Sequence, residues 1–196
     1  MMKIGVLALQ GAVQEHINAI KACGAEAVIV KRVEHLDGLD GIVLPGGEST
    51  AMRRLLDHIG LLQPLKEKIE NGLPAFGTCA GMILLSKEIA NDDTVHLGVM
   101  DMVAERNAFG RQVDSFEVNI PIKGVCEDYP AVFIRAPFIR SVSGDAEVIA
   151  EHDGNIVAVR QNHMLAASFH PELTNDYRFM SYFADMVKEK NANLSM

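Results

Sequence analysis

Five residues, Gly77-Thr78-Cys79-Ala80-Gly81, connect two apolar segments and decide the interpretation of the whole chain. The apolar residues 73–76 before them predict a buried strand, and residues 80–86 predict the first turns of a helix. A cysteine with a glycine two positions before it and another two positions after it, between strand and helix, has the form of a nucleophile elbow. Small neighbours let the strand and the helix approach around a sharp turn, and the start of a helix favours a thiolate.

A nucleophilic cysteine needs a base and a group that orients this base, and candidates for both lie near the end of the sequence. His170 follows the apolar residues 164–169, which predict a strand, and Glu172 lies two residues further on. Because parallel strands collect functional residues at one edge of the sheet, we expect His170 close to Cys79. An extended chain points residues i and i+2 the same way, so Glu172 is expected to hold the His170 imidazole.

The segment Leu44-Pro45-Gly46-Gly47-Glu48-Ser49-Thr50 follows another predicted strand and supplies a third element of such a site. Its two glycines expose backbone N–H groups at the same edge of the sheet, where these groups suit an oxyanion hole. A phosphate-binding loop is disfavoured because the G-K-[ST] ending is missing and Glu48 would repel phosphate. A plain turn before a helix capped by Ser49 or Thr50 is the structural alternative.

Taken one motif at a time, these residues leave other interpretations open. The elbow also fits a buried structural cysteine, and His170 with Glu172 also fits a strand-end histidine beside a surface carboxylate. A zinc site of Cys79, His170 and Glu172 has suitable ligand types, but no fourth ligand or tight spacing accompanies them, so we predict no metal. The remaining histidines have no evident partners and are predicted to be surface residues or to make local hydrogen bonds: His16, His35, His58, His96, His152 and His163.

The order of the predicted elements indicates an α/β protein. Over residues 1–90, strands that are apolar on both faces alternate with amphipathic helices, which is typical of a parallel sheet covered on both sides. The second half carries one last helix from about residue 174 and short strands with little helix between them, at 99–103, 115–120, 131–134, 147–150, 155–159 and 164–169. We therefore predict a single domain over residues 1–196, with a three-layer, flavodoxin-like, mostly parallel sheet, helices on both faces and additional antiparallel strands.

The composition argues against several classes of protein. Apolar residues make up 48% and charged residues 22% of the 196-residue chain, as in ordinary globular proteins. The net charge of −8 argues against a surface for nucleic acid or anionic membranes, and no run approaches the ~18 apolar residues of a membrane span. Three widely spaced cysteines, Cys23, Cys79 and Cys126, indicate a reducing compartment rather than a disulfide framework. We expect a cytoplasmic protein that binds neither nucleic acid nor membrane.

The elbow, the Gly-Gly loop before it and the His-Pro-Glu segment at 170–172, in this order, resemble the class I (triad) glutamine amidotransferases. The resemblance extends over nearly the whole chain through segments 4–12, 45–50, 105–112, 133–137 and 168–173. Segments 105–112 (Glu105-Arg106-Asn107-Ala108-Phe109-Gly110-Arg111-Gln112) and 133–137 (Phe133-Ile134-Arg135-Ala136-Pro137) point, within that class, to the glutaminase subunits of pyridoxal 5'-phosphate synthases. No position expected to be catalytic departs from the family pattern.

The resemblance implies a role for each motif residue. Cys79 would be the nucleophile, His170 the general base and then the general acid, and Glu172 the group that orients His170. The backbone N–H groups of Gly47 and Ala80 would form the oxyanion hole. The resemblance also implies a glutamine pocket, which the spacing of the residues does not reveal by itself, formed by Gly47, Glu48, Ser49, Arg106, Ile134 and Arg135.

The reaction that the resemblance implies is hydrolysis of L-glutamine to L-glutamate and ammonia through a γ-glutamyl thioester on Cys79, without a cofactor. The ammonia would pass to a separate synthase subunit that makes pyridoxal 5'-phosphate. Two rival hypotheses stay open at this point. One is a stand-alone γ-glutamyl hydrolase or peptidase-like enzyme on the same scaffold, and the other is a binding module in which Cys79 is inert.

Overall fold

The computed structural model describes residues 1–106 and 115–194, so residues 107–112 of the family-like segment 105–112 lie outside the described part. Five α-helices lie in the described ranges: α1 (Val13–Ala22), α2 (Ser49–His58), α3 (Leu62–Glu70), α4 (Ala80–Leu85) and α5 (Arg178–Leu194). The strands of the same ranges are β1 (Lys3–Leu7), β2 (Glu26–Val30), β3 (Gly41–Leu44), β4 (Ala75–Thr78), β5 (Ser86–Ile89), β6 (Met100–Glu105), β7 (Ser115–Ile122), β8 (Cys126–Ile134), β9 (Phe138–Val142), β10 (Glu147–His152), β11 (Asn155–Gln161) and β12 (Met164–Ala167).

One large sheet contains all of these strands except β7 and β8, which form a separate antiparallel hairpin. Its strand order is β2-β1-β3-β4-β12-β11-β9-β6-β5, with β10 paired to β11. The first five strands of this order are parallel to one another, and antiparallel pairs of β11 with β9, β10 and β12 extend the sheet beyond them. The predicted parallel core with antiparallel additions is confirmed.

Helices cover both faces of the parallel part, because alternate side chains of its strands point to opposite sides. Val43 and Phe76 pack with α1 and α5 in one buried cluster. Their neighbours in sequence, Leu44 and Ala75, pack with α2, α3 and α4 in the other. This confirms the three-layer architecture. Within residues 1–106 and 115–194, no helix is both long and apolar enough to cross a membrane.

Two strands and one helix start depart from the predictions. β5 and β9 were not predicted, because their polar residues interrupt the apolar patterns that mark a strand. The last helix begins at Arg178 rather than near residue 174. A local turn delays it: the Thr174 hydroxyl accepts the Asp176 N–H at 3.2 Å, and the Asp176 carboxylate then accepts the Arg178 N–H at 3.0 Å.

The glycines of the elbow allow β4 and α4 to approach each other, as the sequence predicts. A Cβ atom on Gly81 would lie 1.9 Å from the Leu44 carbonyl oxygen, and one on Gly77 would lie 2.5 Å from the Gly81 carbonyl oxygen. Both obstacles are backbone atoms of packed elements, which cannot move aside at low cost. The elbow is therefore set by close contact between backbone segments.

We expect Gly81→Ala to lower the free energy of unfolding by about 2–3 kcal/mol, because its methyl group must displace the Leu44 carbonyl. Urea denaturation of the isolated chain measures this loss. Gly60→Ala is the matched control: Gly60 has a φ of 68° and no atom within 4 Å of the added Cβ, so only conformational strain of about 1 kcal/mol is expected. Equal losses in the two variants would contradict the close approach at Gly81.

Candidate active site

Cys79 lies in the sharp turn between β4 and α4. Its φ of 51° and ψ of −109° form a backbone conformation that residues with a Cβ atom rarely adopt. Its N–H donates to the Ala167 carbonyl of the neighbouring β12 at 2.8 Å, which ties the turn to the sheet edge. The thiol is free and partly exposed. The turn thus presents this side chain at the carboxyl end of the parallel strands.

His170 follows the end of β12 and lies beside the elbow, where the sequence predicts it. Its N–H donates to the Val132 carbonyl at 2.8 Å, and its Nδ1 lies 2.7 Å from Glu172 Oε1. Burial lowers the pKa of His170, but hydrogen bonds with the Cys79 side chain and with the Glu172 carboxylate outweigh it and raise this pKa to about 10. The imidazole is therefore protonated at neutral pH.

Glu172 contacts His170 as predicted, but the predicted reason is wrong. Pro171–Leu173 forms a short 3-10 turn rather than an extended chain, with the Leu173 N–H donating to the His170 carbonyl at 3.3 Å. The Glu172 side chain is fully buried, which contradicts the alternative of a surface carboxylate. Burial raises the pKa of Glu172, but the hydrogen bond from His170, the two nearby imidazoles and a backbone hydrogen bond together outweigh it and hold the pKa below its usual value. Glu172 is therefore an ionised carboxylate.

The Gly-Gly loop after β3 packs directly on these residues. A Cβ atom on Gly46 would lie 2.8 Å from His170 Cε1 and 3.5 Å from Cys79 Cβ, so only glycine lets the loop come this close. Gly47 has a φ of 148°, which also favours glycine. Ala80 is the first residue of α4, so its N–H has no acceptor within the helix. The two residues predicted to form the oxyanion hole line one cavity with Cys79.

This cavity has a volume of about 170 Å³ and opens beside the thiol. Its lining includes five of the six residues predicted for the glutamine pocket: Gly47, Glu48, Ser49, Arg106 and Arg135. The sixth, Ile134, is 38% exposed at the end of β8 and does not line the cavity. A carboxylate, a hydroxyl and two guanidinium groups therefore surround a space the size of a small polar molecule.

Glu48 is the N-cap residue of α2, the role that the sequence suggested for Ser49 or Thr50. Its carboxylate accepts the Thr50 N–H at 3.0 Å and the Ala51 N–H at 2.7 Å. The prediction that Ser49 or Thr50 caps this helix is therefore wrong. Burial raises the pKa of Glu48, but these backbone hydrogen bonds, a hydrogen bond with the Thr50 side chain and the Arg106 charge together outweigh it and keep the pKa below its usual value. The Glu48 N–H donates to Gln10 Oε1 at 3.0 Å. The main chain and the side chain of Glu48 thus both make hydrogen bonds that fix the loop.

Arg106 is held by three residues around it. Its Nη1 donates to Asp92 Oδ2 at 2.7 Å, and its Nη2 donates to Ser49 Oγ at 3.1 Å. The same Nη2 lies 3.5 Å from His96 Nε2. His96 was predicted to lie at the surface or to make local hydrogen bonds, and it is instead buried beside Arg106, ten residues away in sequence. This burial, followed by the Arg106 charge, lowers the pKa of His96. Asp92 and His96 belong to a stretch without a recognisable motif, so neither was predicted as a site residue.

His16 is a second buried histidine for which a surface position or local hydrogen bonds were predicted. It has no exposed side-chain area, and its Nε2 lies 3.6 Å from Glu172 Oε2. A signal for this burial was available in the sequence. Val13, Ile17 and Ile20 mark the apolar face of α1, and position 16 lies on that same face.

The other predicted residues lie away from this site. His163 contacts the Ile69 carbonyl at 2.8 Å through its Nε2, and the Cys23 Sγ lies 3.3 Å from Ser181 Oγ. Cys126 is the first residue of β8. In the part of the chain that the structure describes, no group of three or more His, Cys, Asp or Glu side chains could hold a metal ion.

The fold and the arrangement of thiol, imidazole and carboxylate at its sheet edge define a protein of the triad glutamine amidotransferase class. The chain belongs to the SNO glutamine amidotransferase family, whose model matches residues 6–189. A solved structure of a glutamine amidotransferase has a TM-score of 0.90 and 45% identity to this chain, and the match covers 94% of this chain and 98% of that one.

Curated relatives agree with this assignment over almost the whole length. A protein named pyridoxal 5'-phosphate synthase subunit PdxT from Geobacillus sp. (strain WCH70) is 59% identical, over 98% of this chain and 100% of the relative. A protein of the same name from Geobacillus thermodenitrificans (strain NG80-2) is 61% identical, over 96% of each chain. Within the family, the chain is thus similar over almost its whole length to proteins named as pyridoxal 5'-phosphate synthase subunits.

Proposed function

We propose that this chain is a single glutaminase domain that hydrolyses L-glutamine to L-glutamate and ammonia for a separate pyridoxal 5'-phosphate synthase subunit. The family, and relatives of almost equal length named as subunits of that synthase, support this activity. The observation that carries the proposal for this chain is that Cys79 and His170 lie together against Gly46, with Nδ1 of His170 held by Glu172 at 2.7 Å, and that Cys79 lines a small polar cavity. No cofactor is needed, because all the chemistry is acyl transfer by side chains.

The reaction begins with the Cys79 thiolate, which is paired with protonated His170 and attacks the side-chain carboxamide carbon of glutamine. The oxyanion that forms is stabilised by the backbone N–H groups of Gly47 and Ala80, a contribution often worth ~2.7–4 kcal/mol per donor. His170 then gives its proton to the departing nitrogen, and ammonia leaves. The product of this half-reaction is a γ-glutamyl thioester on Cys79.

Water completes the cycle. His170, neutral after releasing its proton, takes a proton from the attacking water molecule, and the second tetrahedral intermediate collapses to glutamate and the thiolate. Throughout both steps Glu172 holds Nδ1 of His170, so that Nε2 faces the reacting atoms and the imidazolium is stabilised. Each residue is therefore used in both halves of the reaction.

The charges around the cavity suit a free amino acid. The guanidinium groups of Arg106 and Arg135 would bind the α-carboxylate, and the Glu48 carboxylate would bind the α-ammonium. Ser49 would contribute its hydroxyl, which already accepts a hydrogen bond from Arg106. A cavity of about 170 Å³ favours one amino acid over a peptide, which argues against the rival hydrolase or peptidase-like activity.

Ammonia released into water would be diluted and protonated, so we propose that the complex passes it directly to the synthase active site. The partner subunit is proposed on the names of the relatives. The free thiol of Cys79 requires reducing conditions, and we therefore place the reaction in the cytoplasm.

The complex of this chain with the synthase subunit tests the proposal. We expect a diazoketone analogue of glutamine to label Cys79 with one adduct, and excess glutamine to prevent the labelling. Peptide mapping by mass spectrometry locates the adduct, and a coupled glutamate assay compares turnover of glutamine with that of γ-glutamyl dipeptides. An unlabelled Cys79 in the complex would contradict the proposed activity, and faster turnover of dipeptides would favour the rival hydrolase.

A further inference from the structure

The Glu172 carboxylate lies between two imidazoles, and the reaction proposed above uses only one of them. Its Oε1 lies 2.7 Å from Nδ1 of His170, whereas its Oε2 lies 3.6 Å from Nε2 of His16. The same His16 nitrogen lies 3.5 Å from the Thr78 hydroxyl oxygen at the end of β4. His16 therefore contacts both the carboxylate of the triad and the strand that carries the elbow.

The second carboxylate oxygen needs a donor. Glu172 Oε2 is buried, and no hydrogen-bond partner is found for it among the described residues. A buried carboxylate oxygen without a donor raises the free energy of the folded state. A donor that faces this oxygen would therefore stabilise one orientation of the carboxylate. The His16 ring nitrogen is the polar atom recorded next to it.

The surroundings of His16 determine which of its nitrogens carries the hydrogen. Burial is the largest influence on His16 and lowers its pKa, so the ring is neutral, with one N–H and one lone pair. A lone pair on Nε2 would face the carboxylate and repel it, so we assign the hydrogen to Nε2, for which the Thr78 hydroxyl oxygen at 3.5 Å is a second acceptor. The lone pair is then on Nδ1, a buried atom for which no hydrogen-bond partner is found among residues 1–106 and 115–194.

The helix that carries His16 is a rigid support. Ile17 and Ile20 on the same helix are buried in the core cluster that also contains Phe169, the residue before His170. Helix α1 also contacts the turn Pro171–Leu173, on which Glu172 lies. The distance of 3.6 Å exceeds that of a direct hydrogen bond, so the proposed contact requires a small approach of the two side chains.

We propose that His16 is a positioning residue of this active site, an inference that rests on the proposed glutaminase function. Its Nε2–H holds Glu172 Oε2, which fixes the plane of the carboxylate and keeps Oε1 on Nδ1 of His170. His16 does not line the cavity that would hold glutamine. Its contacts with the site are Glu172 and, on the strand before the elbow, Thr78, and the proposed positioning role acts through Glu172. A histidine that served packing alone could be replaced by any side chain of similar volume.

Two variants of His16 separate these roles in the complex with the synthase subunit. His16→Leu fills similar volume without a donor, and we expect it to lower kcat for glutamine hydrolysis about tenfold with KM unchanged, the loss of one hydrogen bond to a charged group. His16→Gln restores an N–H donor on a side chain of similar length and should recover most of this loss. His163→Gln is the matched control, because it replaces a histidine that bonds the Ile69 carbonyl away from the triad.

A spectroscopic measurement tests the same inference without turnover. The hydrogen between His170 Nδ1 and Glu172 gives a proton NMR signal downfield of the amide region in ¹⁵N-histidine-labelled protein. We expect this signal in wild type, in His16→Gln and in His163→Gln, and expect it shifted upfield or broadened by exchange in His16→Leu.

The outcomes for His16 and for the proposed function are distinct. If the wild-type complex releases no glutamate from glutamine, the proposed function fails, and the NMR signal still decides whether His16 holds Glu172. If the wild type is active while His16→Leu matches His16→Gln in kcat and in the His170 signal, the positioning role is overturned.

Discussion

Cys79→Ala is expected to abolish glutamine-dependent formation of pyridoxal 5'-phosphate by the complex, with glutamate release falling at least about 10³-fold. The substitution removes the atom that forms the thioester, and no neighbouring side chain can replace it. Product formation from added ammonium salt should continue at the wild-type rate, because ammonia then reaches the synthase without the glutaminase. Both rates can be followed in one experiment by absorbance of the product.

Cys126→Ala is the matched control for this variant. Cys126 is a free, partly buried thiol at the start of β8 and lies outside the cavity, so its removal should change neither rate. Equal loss of the glutamine-dependent and ammonia-dependent rates in Cys79→Ala would show an effect on assembly of the complex. Unchanged glutamate release would remove Cys79 from the reaction.

The elbow could be predicted from sequence because its cause is local. Gly77 and Gly81 are spaced to remove Cβ atoms where β4, α4 and β3 come closest, and the apolar segments on both sides mark the strand and the helix. His170 could be predicted for a similar reason, since it follows a buried strand at the same edge of the sheet. A motif whose structure depends on residues adjacent in sequence can be predicted from a single sequence.

Contacts between distant segments could not be predicted in this way. Glu172 does contact His170, but through a 3-10 turn that starts at Pro171, where the sequence suggested an extended chain. Two of the three partners of Arg106, Asp92 and His96, come from the stretch between β5 and β6, and the polar strand β5 that precedes this stretch was not predicted. The burial of His16 was not predicted, because histidine is a polar residue type, although the position of His16 on the apolar face of α1 indicated burial.

Glu172→Gln is expected to lower kcat for glutamine on the order of 100-fold with little change in KM. The amide has nearly the shape of the carboxylate, so it keeps its place in the buried turn, but it lacks the charge that stabilises protonated His170. Steady-state kinetics of the complex measure this loss, and circular dichroism checks the fold. Glu15→Gln, on the exposed face of α1, is the control and should retain wild-type kcat.

The pH dependence of this variant gives a second, independent test. The wild-type pKa of His170 is raised to about 10, in part by Glu172, so Glu172→Gln should release the imidazolium proton at lower pH. The alkaline limb of kcat/KM should move down accordingly. An unchanged kcat together with an unmoved alkaline limb would exclude Glu172 from the triad.

The same pair sets how folded stability depends on pH. Glu172 has a lowered pKa and stabilises the fold above its ordinary value of 4.5, whereas His170 has a raised pKa and does so fully below 6.5. The contribution of His170 is lost as pH rises towards 10, and that of Glu172 is lost as pH falls below 4.5. The stability of Glu172→Gln relative to wild type should therefore be lowest between pH 4.5 and 6.5 and should improve towards pH 10, which denaturation across that range measures.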